Sequence, residues 1–187
     1  MEDDIKKACE IMEKGGIILY PTDTIWGIGC DATNEDAVKR VYEIKKRIDS
    51  KALIVLVDKP VKVEFYVREV PEIAWDLIDV ADKPLTIVYP NARNLATNVL
   101  ADDGSVGIRI TQETFSRKLC ERFRKAIVST SANISGQPAP TNFNEISDEI
   151  SRRLCGNLPA RRPLSTIAIK CHMDRGRRSH KNIETLI

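Results

Sequence analysis

Short apolar runs recur along this chain, at Ile17–Tyr20, Leu53–Val57, Leu85–Tyr89, Val106–Ile110 and Ala126–Ser129, with helical spacing between several of them. Such runs suit strands buried on both faces. The intervening patterns are amphipathic. Asp3–Lys14 carries Ile5, Ala8, Cys9, Ile11 and Met12 on one face, and Gly15-Gly16 ends it, as glycine does without steric penalty just past a helix. Asn34 reads as an N-cap, followed by Glu35 and Asp36 in the first turn. Ala37, Val38, Val41 and Ile44 then face inward, and Lys45-Lys46-Arg47 closes the segment. Acid first and base last suits the helix dipole. Pro71 opens a helix expected to turn Ile73, Ala74, Leu77 and Ile78 inward, and Phe115–Phe123 and Phe143–Leu154 read as two more. Strands alternating with helices predict an α/β fold with a mixed sheet.

A chain of 187 residues holds one domain with a full core. The expected organisation is one domain over residues 1–187, with 156–187 a basic tail that loses periodicity except at Thr166–Ile169. The 42% hydrophobic and 30% charged fractions are those of a globular protein in water. No apolar run approaches the about 20 residues that cross a bilayer, and the acidic start, Met1-Glu2-Asp3-Asp4, begins no signal peptide. A cytoplasmic location with no membrane contact is expected. The five cysteines form no C-x-x-C pair, so they read as buried free thiols rather than a metal or redox site. The net charge of +2 divides unevenly: residues 1–150 carry 20 basic and 25 acidic side chains, net −5, and residues 151–187 carry 9 and 2, net +7. A basic tail attracts nucleic acid, though charge alone does not establish it.

Residues 1–150 contain no histidine; His172 and His180 both lie in the tail. A Ser-His-Asp or Cys-His arrangement therefore lacks its usual base. No G-x-x-x-x-G-K-[ST] loop occurs. Gly27-Ile28-Gly29-Cys30-Asp31-Ala32 matches the looser G-x-G-x-x-A pattern. Pro21–Thr24 separates it from the preceding strand, which favours a turn or close-packing role for the glycines. Three features point instead to an anion pocket. Tyr20-Pro21-Thr22-Asp23-Thr24 and Ser129-Thr130-Ser131-Ala132-Asn133 place small hydroxylated residues at strand ends, where backbone N–H groups can approach a phosphate. Lys45, Lys46, Arg47 and Lys51 form either a solvated helix end or a phosphate clamp. Arg109, inside an apolar strand, needs a partner, either a bound carboxylate or an internal Asp or Glu. Together these suggest a pocket for a polyanion such as ATP.

The ordered set resembles the YrdC-like family, the threonylcarbamoyl-AMP synthases. It comprises Tyr20–Thr24 with Gly27 and Gly29, Lys45-x-Arg47, Lys51, Pro84-Leu85-Thr86, Val106–Arg109, and Ser131-Ala132-Asn133 with Ser135-Gly136-x-Pro138. The resemblance implies a twisted mixed sheet, parallel and antiparallel, around a large concave, positively charged cavity. It implies synthesis of threonylcarbamoyl-adenylate from L-threonine, bicarbonate and ATP, with magnesium on the phosphates and release of pyrophosphate. A tRNA-threonylcarbamoyl transferase complex then modifies an adenosine beside the anticodon. Carried across, Thr24, Arg109 and Ser129 hold threonine, and Lys45, Arg47, Lys51, Ser105, Ser131 and Asn133 hold ATP. No residue serves as covalent nucleophile and none as metal ligand. The alternative is a YrdC-like paralogue that binds nucleotide, tRNA or double-stranded RNA without turnover.

The chain departs from the family pattern in three places. Trp26 stands where tyrosine is usual and Ala52 where proline is frequent. Ser165-Thr166-Ile167 resembles a late family strand that should lead to a closing arginine near ATP, but the arginine-rich Asp174-Arg175-Gly176-Arg177-Arg178 follows, with Arg175 as a candidate for that role. The expectation is that this diverged tail weakens nucleotide closure. Replacing it with a tail of family pattern should raise ATP affinity in a calorimetric titration; no gain refutes the idea.

Overall fold

The computed structural model describes residues 1–46 and 53–155, and residues 167–168, with backbone alone for Cys155, Ile167 and Ala168. Arg47, Lys51, Arg175 and the two histidines lie outside the described residues.

The chain starts with helix α1 (Glu2–Glu13). Gly15 ends it at φ +74°, with the Gly16 N–H returning to the Ile11 carbonyl and the Gly15 N–H to that of Met12, the paired bonds of a Schellman motif. Strand β1 (Ile18–Pro21) then makes an antiparallel hairpin with β2 (Trp26–Gly29). Helix α2 (Glu35–Lys45) is capped by Asn34, whose side chain accepts from the Ala37 N–H at 3.0 Å. Then come β3 (Ile54–Val57), the short α3 (Val63–Tyr66), α4 (Glu72–Val80), β4 (Thr86–Tyr89), β5 (Val106–Ile110), α5 (Thr114–Phe123), β6 (Ile127–Ser131), α6 (Asp148–Cys155) and β7 (Ile167–Ala168). Among the described residues the strands form one sheet in the order β4-β5-β3-β6-β2-β1-β7. The β3–β5 and β1–β7 pairs are parallel and the others antiparallel, which is the expected mixed sheet.

Register decides which side chains share a face. Thr86, Arg109, Leu56 and Ile127 lie side by side across four strands, and Val88, Gly107, Ile54 and Ser129 make the next row. On this face α1 and α5 cover Ile18, Tyr20, Leu56 and Ile127 with Ile5, Met12, Phe115, Leu119 and Phe123. The opposite face presents Leu19, Ile28, Val55, Ile108 and Val128, which pack in one cluster with Val38, Val41 and Tyr42 of α2. Helices thus cover both faces. The area carrying Thr86, Arg109 and Ser131 remains half-buried beside the α1/α5 layer.

Two expectations need correction. Pro71 does precede a helix, but Ile73 and Leu77 are 62% and 43% exposed, and only Ala74 of that helix is buried. Apolar residues ring α4 (Ile73, Ala74, Trp75, Leu77, Ile78 and Val80), so periodicity could not select its inner face. The single helix expected over 143–154 is a 3₁₀ turn, Phe143–Glu145, followed by α6. The Thr141 N–H and hydroxyl both donate to Glu145 and fix that turn apart from the helix. Gly27 and Gly29 lie within β2, in line with the close-packing role expected of them. A Cβ on Gly29 would come within 2.6 Å of the Tyr20 ring and 2.7 Å of the Val128 carbonyl oxygen, so its role is close packing.

Among the described residues no helix is long and apolar enough to cross a membrane. Cys9, Cys30 and Cys120 are buried free thiols; burial pushes the Cys9 thiol up to about 11 and those of Cys30 and Cys120 further up. Adding a methyl at Gly29 overpacks the hairpin. Gly29→Ala should lower unfolding stability by about 1–3 kcal/mol, read from urea titration.

Candidate active site

The Tyr20–Gly29 segment becomes a hairpin whose tip is closed by Thr22. Its hydroxyl donates to the Ile25 carbonyl at 2.8 Å, and its N–H reaches the same oxygen at 3.2 Å. Thr24 is exposed on this tip. Beneath the hairpin Tyr20 is fully buried, its hydroxyl donating to the Val128 carbonyl at 3.2 Å. Burial pushes the Tyr20 phenol far up, and a hydrogen bond with the Ser129 hydroxyl opposes this. The phenol therefore stays protonated.

Arg109 projects from β5 one strand in from the sheet edge, opposite Thr86 of β4. Its Nε donates to Thr86 Oγ1 at 2.8 Å. Among the described residues no carboxylate lies within ion-pair distance of its guanidinium. Gly107, two residues earlier, leaves space between Ile54 and Thr86 that a Cβ would fill at 3.1 and 3.3 Å.

Of the predicted nucleotide residues, the described ones, Lys45, Ser105, Ser131 and Asn133, lie toward one end of the sheet. β5 runs parallel to β3 and β6 antiparallel to it, so the start of β5 and the end of β6 come together. Ser105 precedes β5 there, its N–H donating to Asp103 Oδ1 at 2.9 Å. The Ser105 hydroxyl is the main cause holding the Asp103 carboxyl below its usual range. Ser131 ends β6 opposite Gly27. Lys45, at the end of α2, is only 2% exposed. Its ammonium donates to the Ser131 carbonyl and, at 2.9 Å, to the Asn133 carbonyl, with Ser131 Oγ at 3.3 Å and Asn133 Oδ1 at 3.2 Å. The Asn133 amide donates onward to the Gln137 carbonyl. Lys45 thus lies beneath the 131–133 loop. From Ser105 to Arg109 the strand spans four residues, roughly 13 Å, so a ligand touching both must be extended.

Sequence reasoning gave no role to two polar side chains at this site. Thr86 orients Arg109, and Asp23 accepts hydrogen bonds from Thr111, Gln112 and Glu113. An acidic residue at a strand end was the available signal for Asp23; for Thr86 it was a hydroxyl facing a charged residue on an adjacent strand. A cleft of about 340 Å³ lies on the reverse face, lined by Ile78, Ile87, Tyr89, Ile108 and Ile110 among others. It contains none of the predicted site residues. Among the described residues no three His, Cys, Asp or Glu side chains converge as a metal site would require.

Residues 10–168 match the Sua5/YciO/YrdC family, which carries the description "Telomere recombination". The chain belongs to this family. It is 34% identical over 165 residues to a threonylcarbamoyl-AMP synthase of Pseudomonas aeruginosa, an alignment covering 86% of this chain and 89% of that protein. Among Sua5/YciO/YrdC structures it resembles P. abyssi Sua5 complexed with L-threonine, with a TM-score of 0.74 and 31% identity over 78% of this chain. The chain spans less than half of that Sua5 chain, 43%. It also shares its fold with E. coli YciO, at a TM-score of 0.72 and 23% identity over 82% of this chain and 75% of that one.

Removing the Lys45 ammonium strands loop carbonyls in a buried setting, which costs about 1–3 kcal/mol per unsatisfied group. Lys45→Met should lower the urea unfolding free energy by that order; an unchanged midpoint would show that the loop holds itself.

Proposed function

We propose that this chain makes threonylcarbamoyl-AMP from L-threonine, bicarbonate and ATP. The observation that carries the reading is Arg109: a half-buried guanidinium with one edge bonded to Thr86 and no protein carboxylate opposite it among the described residues. Its two terminal nitrogens form a planar fork suited to the carboxylate of an amino acid. Thr24 and Ser129 complete the threonine end, and the structure of P. abyssi Sua5 with L-threonine supports an amino-acid substrate on this fold.

The nucleotide end consists of Ser105, Ser131 and Asn133, with Arg47 and Lys51 supplying cations. Lys45 shapes the loop from beneath. ATP enters a positively charged cavity on this face with its α-phosphate toward the threonine amine. The amine and bicarbonate condense to a carbamate with loss of water. A carbamate oxygen attacks the α-phosphorus and pyrophosphate leaves. No side-chain nucleophile is needed, because the attacking group belongs to the substrate. The residues contribute positioning and charge stabilisation, and magnesium arrives on the nucleotide phosphates as part of the substrate. The product passes in the cytoplasm to a tRNA-threonylcarbamoyl transferase complex, and the net positive charge of residues 151–187 attracts tRNA.

The decisive assay is pyrophosphate release with magnesium and ATP. Release that requires both L-threonine and bicarbonate is expected; ATP binding without release would turn the reading toward a binding-only protein. Within the site, Arg109→Ala should weaken threonine binding by about 1.5–3 kcal/mol, the cost of one charge-assisted contact, and ATP binding much less. Arg47→Ala should do the reverse. Calorimetric titration reads both, and equal losses for the two ligands would overturn the assignment.

A further inference from the structure

Asp23 makes three hydrogen bonds, all to a segment far away in sequence. Thr111 Oγ1 donates to its Oδ2 at 2.8 Å, and the Gln112 and Glu113 N–H groups donate to its Oδ1 at 2.7 and 2.9 Å. That segment is firmly held. The Thr111 N–H donates to the Val57 carbonyl at 2.9 Å, and its hydroxyl lies 2.6 Å from that of Ser116. Thr111 is 1% exposed. It follows Arg109 by two residues, so both side chains point to the same side of the extended chain. The carboxylate also lies just before the first turn of α5, where negative charge is favoured, and bonds to an ionised acceptor are the strong kind.

The hairpin does not need this connection to form. Four register pairs join β1 to β2, and Thr22 closes the tip by itself. What Asp23 adds is the placement of that tip, with Thr24 on it, against the end of the strand that carries Arg109. We propose that Asp23 is a positioning residue that sets the spacing between Thr24 and Arg109, and through it the affinity for the amino-acid substrate. The proposal rests on the reading of Thr24 and Arg109 as threonine contacts.

The test compares Asp23→Ala, Asp23→Asn and Thr24→Ala in threonine-dependent pyrophosphate release, with ATP affinity measured by titration. Asp23→Ala should raise the threonine KM about tenfold, with kcat within about threefold and the ATP Kd within about twofold, the pattern of lost substrate binding rather than lost chemistry. Asp23→Asn, which keeps an oxygen for the two amides, should recover part of the loss. Because Asp23 acts through Thr24, adding Asp23→Ala to Thr24→Ala should change the threonine KM by less than about twofold, the coupling expected of residues acting as one unit. Independent multiplication of the two effects, or parallel loss of ATP and threonine affinity, overturns the proposal. Should Asp23→Ala fail to fold by circular dichroism, Thr111→Val removes one donor and should raise the threonine KM about threefold; no rise refutes the proposal in that case. If Arg109→Ala and Thr24→Ala both leave the threonine KM unchanged, the substrate reading fails first and the Asp23 proposal with it. A threonine KM that moves with Arg109 and Thr24 but not with Asp23 or Thr111 refutes the positioning role alone.

Discussion

A strand of four residues, β3, governs the geometry of this molecule by pairing in parallel with β5 and antiparallel with β6. Parallel strands in a doubly covered sheet usually have both faces buried. Here the α1/α5 layer stops short of β4 and of the near ends of β5 and β6. Because β5 and β6 run in opposite directions, the residue entering one and the residue leaving the other arrive at the same end of the sheet. Ser105 and Ser131 therefore lie at the same end of the sheet, on either side of β3, although 26 positions separate them in the sequence. Arg109 lies farther along β5 on the same open face. The separation of Ser105 from Arg109 along the candidate site follows from strand direction.

Polar burial fixes the parts that strand pairing leaves loose. A charged group out of water is costly unless oxygens surround it. Lys45 meets that requirement with the carbonyls of the loop after β6, and its own carbonyl accepts from the Ser135 N–H at 3.0 Å. The end of α2 and the 131–135 loop thus constrain each other. Asp23 joins the β1–β2 tip to the start of α5 in a similar way. Between them, two ionisable side chains connect the hairpin, one helix end and two loops.

Much of this was legible in the sequence, for identifiable reasons. Leu53–Val57 is too short and uniformly apolar for an amphipathic helix, Val106–Ile110 alternates with a period of two, and both are strands. Asn34 and Gly15 announced helix ends through local chemistry, and both act as read. β2 was missed because Gly27 and Gly29 are poor strand formers in isolation; what keeps them there is the Tyr20 ring across the hairpin. The inner face of α4 was unreadable because apolar residues surround the helix. For the site, the hydroxyl clusters and Arg109 stood out by residue type. The Thr86–Arg109 and Asp23–Thr111 bonds span 23 and 88 positions and depend on register, which local pattern does not encode. Lys45 was visible as a cation, but its burial beneath the loop was not.

β4 is the outermost strand on its side and pairs only with β5 among the described residues. Sheet edges open with less free energy than the strands within. Thr86 sits on that edge, and the arginine it orients is one strand in. Any ligand that engages Arg109 in the closed sheet alone stabilises the closed form by RT ln(1 + c/Kd), which rises with its free concentration c only logarithmically. On the proposed reading of Arg109 as a threonine contact, the amides of this edge report occupancy of the arginine end, and scarce substrate leaves the edge free to open.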